Sequence, residues 1–359
     1  MALTQVDQGL LGTYAQYTGF KNRILNGQMV IDQRNAGASV TPANGQYLTD
    51  RWNAALSQAS KFSAQQNAGS VTPPAGFPNY LGITSLSAYS ITASDVFNII
   101  QPLEGFTTAD LAWGTASAQT VTLSFWVRSS LTGTFGGSLA NYALTRSYPF
   151  TFTISSANTW EQKSITIAGD TSGTWVGATN AGSMYVRFNL GTGSTYSGTA
   201  GAWASADYRS ATGATSVVGT NGATFYITGI QLEKGSTATS FDYRPYGTEL
   251  QLCQRYYQII RSNAPYQFYT LVTYESASTA WGPIPLKVSM RSQPTTLVSG
   301  SFTVSYGVQG TYINDTNQTG AEVAMIGWGS SGSGGTVGYA PYIRSNNSTT
   351  SYMSFSAEL

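Results

Sequence analysis

The sequence predicts an all-β protein. It reads as an antiparallel, jelly-roll-type β-sandwich followed by a second, smaller β-sandwich, with a short N-terminal arm and one linking helix. Three observations carry this reading. Short apolar runs that alternate with polar residues recur along most of the chain, which is the period of a strand with one buried face. Clusters of Gly, Pro, Asn and Ser separate these runs, and such residues supply turn conformations. Helical periodicity is nearly absent. At 359 residues the chain has room for two domains. The patterning divides it into an arm over 1–21, a sandwich over 22–247, a helix over 248–260 and a second β domain over 261–359.

Leu3, Val6, Leu10 and Tyr14 form a helical stripe in the arm, weakened by two glycines. A segment this short is marginal alone, so the stripe is expected to dock on a partner. Ile24–Ile31 is expected to be a first strand. Further strands are expected at Leu81–Ile91, Phe97–Leu103, Thr120–Arg128, Tyr148–Ser155, Trp160–Ile167, Met184–Leu190 and Thr224–Leu232. Side chains alternate across a strand. Val121, Leu123, Phe125 and Val127 therefore point inward, leaving Trp126 and Arg128 opposite. Met184, Val186, Phe188 and Leu190 likewise leave Tyr185, Arg187 and Asn189 on the other face. In the last strand Tyr226 opposes Phe225 and Ile227, and Gly229 marks a bulge that resets the phase. The long segment 192–222, carrying Tyr196, Trp203 and Tyr208, is expected to lie over an end or a face of the sandwich.

Thr248 with Gln251 three residues on has the spacing of a capping box. It predicts a helix over Thr248–Ile259 with Cys253 buried on it. Beyond it, strands are expected at Tyr266–Tyr274, Ile284–Met290, Ser301–Gln309, Glu322–Trp328, Gly338–Arg344 and Ser351–Leu359. Tips at 314–320, 330–335 and 345–350 are natural loops.

Three blocks carry a family resemblance: NRILNGQMVIDQRNAG followed by DRW, GIQLEKG running into RPYGTELQLCQRYYQ, and IPLKVSMRSQPTT with the closing SYMSFSAEL. They resemble bacteriophage tail-fibre and receptor-binding proteins. The first block also resembles the opening of xylan- and glucan-binding sandwich modules, which often hold a structural calcium. The carboxylates for that ion do not match, because Thr228 and Gly229 stand where such modules place Asp. The resemblance implies a virion protein made in a bacterial host, a homotrimer, attached to the tail or an adaptor through residues 1–20. It also implies non-covalent attachment to a host-surface polysaccharide or other receptor.

Composition narrows the chemistry. Charged residues make up 9%, and net charge is +1, against about 25% charged in ordinary soluble proteins. That leaves no field to hold nucleic acid. No apolar run approaches the ~20 residues of a membrane span. The chain has no His and one Cys, which excludes Ser-His-Asp and Cys-His catalysis and an intrachain disulfide. Neither a metal nor another cofactor is expected. An enzyme would need a carboxylate pair acting on a glycosidic bond, and no spacing among the acids selects one. Asp32, Asp50, Asp170, Glu233 and Asp242 sit in turns or motif segments and read as structural.

A glycan is bound by aromatic planes beside guanidinium and amide groups. Trp126, Arg128, Tyr185, Arg187, Asn189 and Tyr226 are the candidate contacts, with Trp203 and Tyr208 closing over them. The competing reading is that this face is covered by the chain's own loops or by a neighbouring subunit. Trp281, Trp328, Tyr339 and Tyr342 are alternative receptor contacts in the second domain. Two other functions compete with attachment: a purely structural virion role, such as head decoration or a collar adaptor, and glycan cleavage.

Overall fold

The computed structural model describes residues 21–304, 308–314, 319–330 and 335–359. The docking residues Leu3, Val6, Leu10 and Tyr14 lie outside them. The described chain is all-β with short helices. It forms two compact units, the first ending at Tyr246 and the second running Gly247–Leu359.

In the first unit the strands are β1 (Tyr47–Thr49), β2 (Trp52–Leu56), β3 (Phe62–Gln66), β4 (Leu81–Ser85), β5 (Val96–Glu104), β6 (Val121–Ser129), β7 (Gly133–Asn141), β8 (Ser147–Ile154), β9 (Glu161–Ile167), β10 (Gly182–Thr192), β11 (Ser197–Gly198), β12 (Ser210–Ala211) and β13 (Thr224–Lys234). One sheet has the order β1-β2-β5-β10-β7-β8 and the other β3-β4-β13-β6-β9. Their inner faces meet in one core. Phe125 of β6 packs edge-on against Phe152 and Phe188 of the opposite sheet, at 5.0 Å in each case. Phe135 meets Phe225 across the same gap at 6.0 Å. The alternation expected in β6, β10 and β13 is observed: Phe125, Phe188 and Ile227 are fully inside. Gly229 adopts φ +60 where the β13–β6 register slips, between Thr228 and Gln231. That is the predicted bulge.

The expected first strand, Ile24–Ile31, does not form. The segment is irregular because side chains take its backbone groups: Leu25 N–H donates to Gln101 Oε1 at 2.9 Å and Ile31 N–H to Asn26 Oδ1 at 2.9 Å. It still follows β13, where Arg23 N–H donates to Leu232 O and Ile230 N–H to Gly27 O. The strand expected over Leu81–Ile91 stops at Ser85.

A helix, Tyr246–Gln254, starts at the last residue of the first unit and is shorter than the predicted one. Tyr257–Arg261, expected partly as helix, is strand β14. Its aromatic and β-branched residues favour extended backbone, and it pairs with Tyr352–Ser356, the last strand. Cys253 is buried as expected. The remaining strands are β15 (Phe268–Leu271), β16 (Thr273–Tyr274), β17 (Thr279–Pro285), β18 (Thr295–Ser299), β19 (Phe302–Val304), β20 (Val308–Asn314), β21 (Val323–Ser330), β22 (Tyr342–Ser345) and β23 (Tyr352–Ser356). A three-stranded sheet, β14-β23-β18, and a seven-stranded one, β15-β22-β19-β20-β21-β17-β16, surround a core that includes Ile284, Val304, Ile326, Ile343 and Phe355. The expected Ile284–Met290 strand is displaced toward the N-terminus, since β17 pairs with β21 from Thr279 to Pro285.

Candidate functional site

The residues expected to form one glycan surface divide between two sheets. β6 pairs with β9 and β13, and β10 pairs with β5 and β7. Because Phe125 and Phe188 face each other through the core, Trp126 and Arg128 point out of one side of the sandwich and Tyr185, Arg187 and Asn189 out of the other. The predicted single site is therefore corrected to two unrelated faces.

On the β6/β13 face, Tyr226 is covered by the segment 67–80. Its ring lies 5.1 Å from Tyr80, whose hydroxyl donates to Ala68 O and accepts from Val71 N–H. Arg128 stacks 5.4 Å from the Tyr226 ring and donates to Asn158 O at 2.9 Å. Phe77 and Trp126 pack over Gly229. This face is closed by the chain's own loop.

On the β10 face, Tyr142 stacks on Tyr185 at 4.9 Å and 16°, and the Arg187 guanidinium lies 4.9 Å from the Tyr185 ring. The Tyr185 ring thus has an aromatic and a cationic neighbour from the chain itself. Burial, reinforced by Tyr142, pushes the Tyr185 phenol well above its ordinary range. Arg187 is buried and donates to Asp207 Oδ1 at 2.7 Å. Burial lowers its pKa, and Asp207 opposes that shift. Asp207 Oδ2 also takes Arg209 Nε and Nη2 at 3.0 and 2.9 Å. Asn189 is turned to its own strand end, accepting from Gly191 N–H and Thr192 Oγ1. Tyr208 packs on Gly198. The long segment 193–215 lies over this face, as its Asp207 bond to Arg187 requires.

Among the described residues an open cleft lies elsewhere in the first unit. It is a cleft of about 200 Å³ lined by Trp113, Trp175, Thr108, Thr115, Ser183 and Met184, with small neighbours. Trp203, one of the predicted contacts, completes an aromatic triad here. Its ring lies 5.2 Å from Trp113 and 5.6 Å from Trp175, and these two are 4.8 Å apart, all close to perpendicular. Each indole N–H is committed to the protein: Trp113 donates to Gln119 O at 2.7 Å, Trp175 to Asp170 Oδ2 at 3.2 Å and Trp203 to Ala168 O at 2.8 Å. The rings are therefore fixed in orientation and offer carbon surface.

Asp170 holds this arrangement. The Arg146 fork donates Nε and Nη2 to its two oxygens at 2.8 and 2.6 Å, and this bond raises the Arg146 pKa. Asp170 O accepts from Gly114 N–H at 2.7 Å, so one residue ties down the turns carrying Trp113 and Trp175. The polar lining is hydroxyl: Thr108 Oγ1 donates to Ser183 Oγ at 2.8 Å. No carboxylate lines the cleft. Among the described residues no cluster of three or more His, Cys, Asp or Glu could hold a metal ion, and no helix is long and apolar enough to cross a membrane.

In the second unit, Trp281 donates its N–H to Glu275 Oε2 at 2.9 Å and packs over Gly327. Trp328 falls in β21. Tyr339 and Tyr342 are exposed.

No protein-family model and no curated protein sequence matches the chain. Solved structures align with a little over half of it at low similarity. The enzymatically active domain of bacteriophage CBA120 tailspike protein 4 is 12% identical with a TM-score of 0.32, over 60% of this chain and 21% of that one. This chain thus spans about a fifth of the tailspike domain's length. A CBM4 module aligns over 58% of this chain and 98% of its own length, at 12% identity and TM-score 0.31. A family 11 carbohydrate-binding module from Clostridium thermocellum, in complex with a β-1,3-1,4-mixed-linked tetrasaccharide, aligns over 52% and 91%, at 12% identity and TM-score 0.30. At this level the reading of the site rests on its own residues.

The sequence reading missed Trp113 and Trp175. Trp113 precedes the Thr120–Arg128 run and Trp175 follows a glycine-rich turn, so neither sits on a patterned strand. A search for tryptophans flanked by turn residues would have found both.

Proposed function

We propose that this protein is a non-enzymatic attachment protein of a phage virion that holds a neutral host-surface glycan ring in the Trp113/Trp175 cleft. One observation carries the proposal: a cleft walled by two indoles whose N–H groups are already satisfied, with hydroxyls beside them and no charged lining. A pyranose offers an axial C–H face that packs on such carbon surface, and its hydroxyls pair with Thr and Ser. The volume is below the ~300–1,000 Å³ of drug-sized pockets. It exceeds the ~150 Å³ cavity that accepts benzene. One ring fits, and a longer chain must continue outside. The absence of a lining carboxylate supports binding over cleavage, since glycosidic hydrolysis needs two. The resemblance of the RPYGTEL and NRILNG blocks to tail-fibre proteins supports the virion role, with a homotrimer held to the tail by residues 1–20. A single-ring site is weak alone, and repetition on one particle raises avidity by ~10²–10⁴.

Titration of the full chain with host polysaccharide fragments, read by tryptophan fluorescence, tests this. Trp175→Ala is predicted to weaken binding about tenfold or more, equivalent to roughly 1.4 kcal/mol, while the polysaccharide keeps its length on incubation. Unchanged affinity in Trp175→Ala would remove the cleft from consideration, and shortening of the polymer would replace attachment with cleavage.

A further inference from the structure

Arg344 in β22 stands apart from the other surface arginines. Its guanidinium lies 4.8 Å from the Tyr266 ring and 5.8 Å from Tyr342. Its Nε is buried without a partner, and among the described residues it makes no hydrogen bond or ion pair. A guanidinium carries five N–H donors in one plane. Held by rings rather than by an acceptor among the described residues, it keeps its two terminal Nη groups for another molecule.

The surroundings suit a ring-bearing partner. Phe268 of β15 lies directly across from Arg344 in the strand register, is 55% exposed, and sits 6.0 Å from the Tyr342 ring. Tyr266 is 49% exposed and holds φ +59. A bulky side chain in the left-handed region is strained, and such strain clusters at ligand clamps. Three large aromatics open around an unneutralised cation are not the composition of an ordinary solvated surface, which favours charged and small polar groups.

We propose that Tyr266, Phe268, Tyr342 and Arg344 form a second ligand site, one that takes an anionic sugar. Its carboxylate or phosphate pairs with the free edge of Arg344, and its ring packs on Phe268. Arginine matches planar and tetrahedral oxyanions in two-point contacts. Nucleic acid fits less well, because the chain's net charge of +1 supplies no field to track a phosphate backbone. A second copy of this chain also fits less well, since it carries 16 acidic residues in 359. This site does not depend on the tryptophan cleft, whose lining is uncharged.

The test titrates the full-chain protein with trigalacturonic acid, mannose 6-phosphate and neutral galactotriose, at low and at raised salt. At least one anionic probe is expected to bind, more weakly as salt rises. Arg344→Ala is expected to reduce that affinity about tenfold or more. Arg344→Lys, which keeps the charge and loses the fork, should retain part of it, and Phe268→Ala should lower it without changing its salt dependence. Galactotriose binding should be the same in wild type and Arg344→Ala. Preference for trigalacturonic acid assigns a carboxylate, and preference for the sugar phosphate assigns a phosphate. Because the Arg344 side chain makes no hydrogen bond or ion pair among the described residues, Arg344→Ala should melt within a degree or two of wild type, so a lost signal is not a lost fold. Failure of both anionic probes to bind wild type overturns the proposal. So does equal affinity in Arg344→Ala, or a variant whose only change is its state of assembly.

Discussion

The two outer faces of the first unit have nearly the same sequence pattern and are closed by different physics. On the β6/β13 face the cover is aromatic. Tyr80, Tyr226 and Trp160 pack together, and the hydrogen bonds there fix loop backbone. On the β10 face the cover is held by charge, with Asp207 between Arg187 and Arg209. The aromatic face leaves Thr224 Oγ1 of β13 buried without a partner, whereas the ionic one leaves more loose ends. Arg187 Nε, Asn98 Oδ1 and Ser138 Oγ are buried without partners, and Arg187 and Ser138 are directly opposite in the β10–β7 register. Apolar packing needs only shape, but a buried ionic cover needs every donor and acceptor matched. The difference shows why exposed-looking Arg and Tyr on a strand cannot be pooled into one site. Each is committed to the chemistry of its own cover.

The largest effect should come from breaking the ionic cover. Asp207→Ala leaves Arg187 buried and unpaired, which costs roughly 3–5 kcal/mol. Chemical unfolding should register this, and the double variant Arg187→Met with Asp207→Ala should recover most of it. A loss under about 1 kcal/mol in Asp207→Ala would mean that the face is held by something other than charge. Breaking the aromatic cover should cost somewhat less. Tyr226→Ala removes a buried ring next to Tyr80 and is expected to destabilise by roughly 2–4 kcal/mol, with no recovery from any change in salt. If raised salt restored that stability, the contrast between the faces would fail.

Strand alternation made half of this legible. The inward sets of β6, β10 and β13 follow from a period of two, and so does the outward direction of Trp126 and Arg187. Which strands share a sheet does not follow, because pairing is set by long-range registers such as Phe188 with Ile99 that leave no local mark. The same gap hid the cleft. Trp113, Trp175 and Trp203 come from three separate connections and meet only through Asp170 and the edge-on packing of their rings. Asp170 itself reads correctly as structural from its turn context. The Ile24–Ile31 segment shows the opposite failure: its apolar pattern suits a strand, but Asn26 and Gln101 side chains take the backbone bonds.

The six-stranded sheet should also show a pH signature from two carboxylates next to its strands. Burial pushes Asp50 up to about 6, against the opposing pull of Arg34 and two hydrogen bonds from Gln33. A raised acid takes up its proton more readily folded than unfolded. Stability should therefore fall as pH rises from about 4 through 6, by up to the order of 3 kcal/mol. Asp95 is the reverse case. Burial pushes it up, but hydrogen bonds from Ser57, Thr92 and Tyr89 outweigh that and hold it down to about 2. Its contribution is present above the ordinary carboxylate range and is lost as pH falls toward 2. Together these two groups place a stability maximum near pH 4. Urea unfolding across pH should show that maximum, with Asp50→Asn flattening the upper limb and Asp95→Asn the lower. Stability that rose steadily from pH 7 to pH 2 would contradict the Asp95 assignment, and stability that fell steadily would contradict that of Asp50.

The smallest effect is the most discriminating. Arg128 is partly exposed on the aromatic face, where it makes one hydrogen bond to Asn158 O and stacks at 5.4 Å on Tyr226. Its removal should cost only about 0.5–1.5 kcal/mol, because Tyr80 still covers Tyr226 when the guanidinium is gone. If glycan binding belongs to the tryptophan cleft, Arg128→Ala must leave glycan affinity unchanged while Trp175→Ala lowers it. Because the two residues lie on different elements with different partners, their effects should add. A drop in glycan affinity of threefold or more in Arg128→Ala, at unchanged stability, would return the aromatic face to the binding site. It would then follow that the 67–80 segment is a removable cover rather than part of the fold.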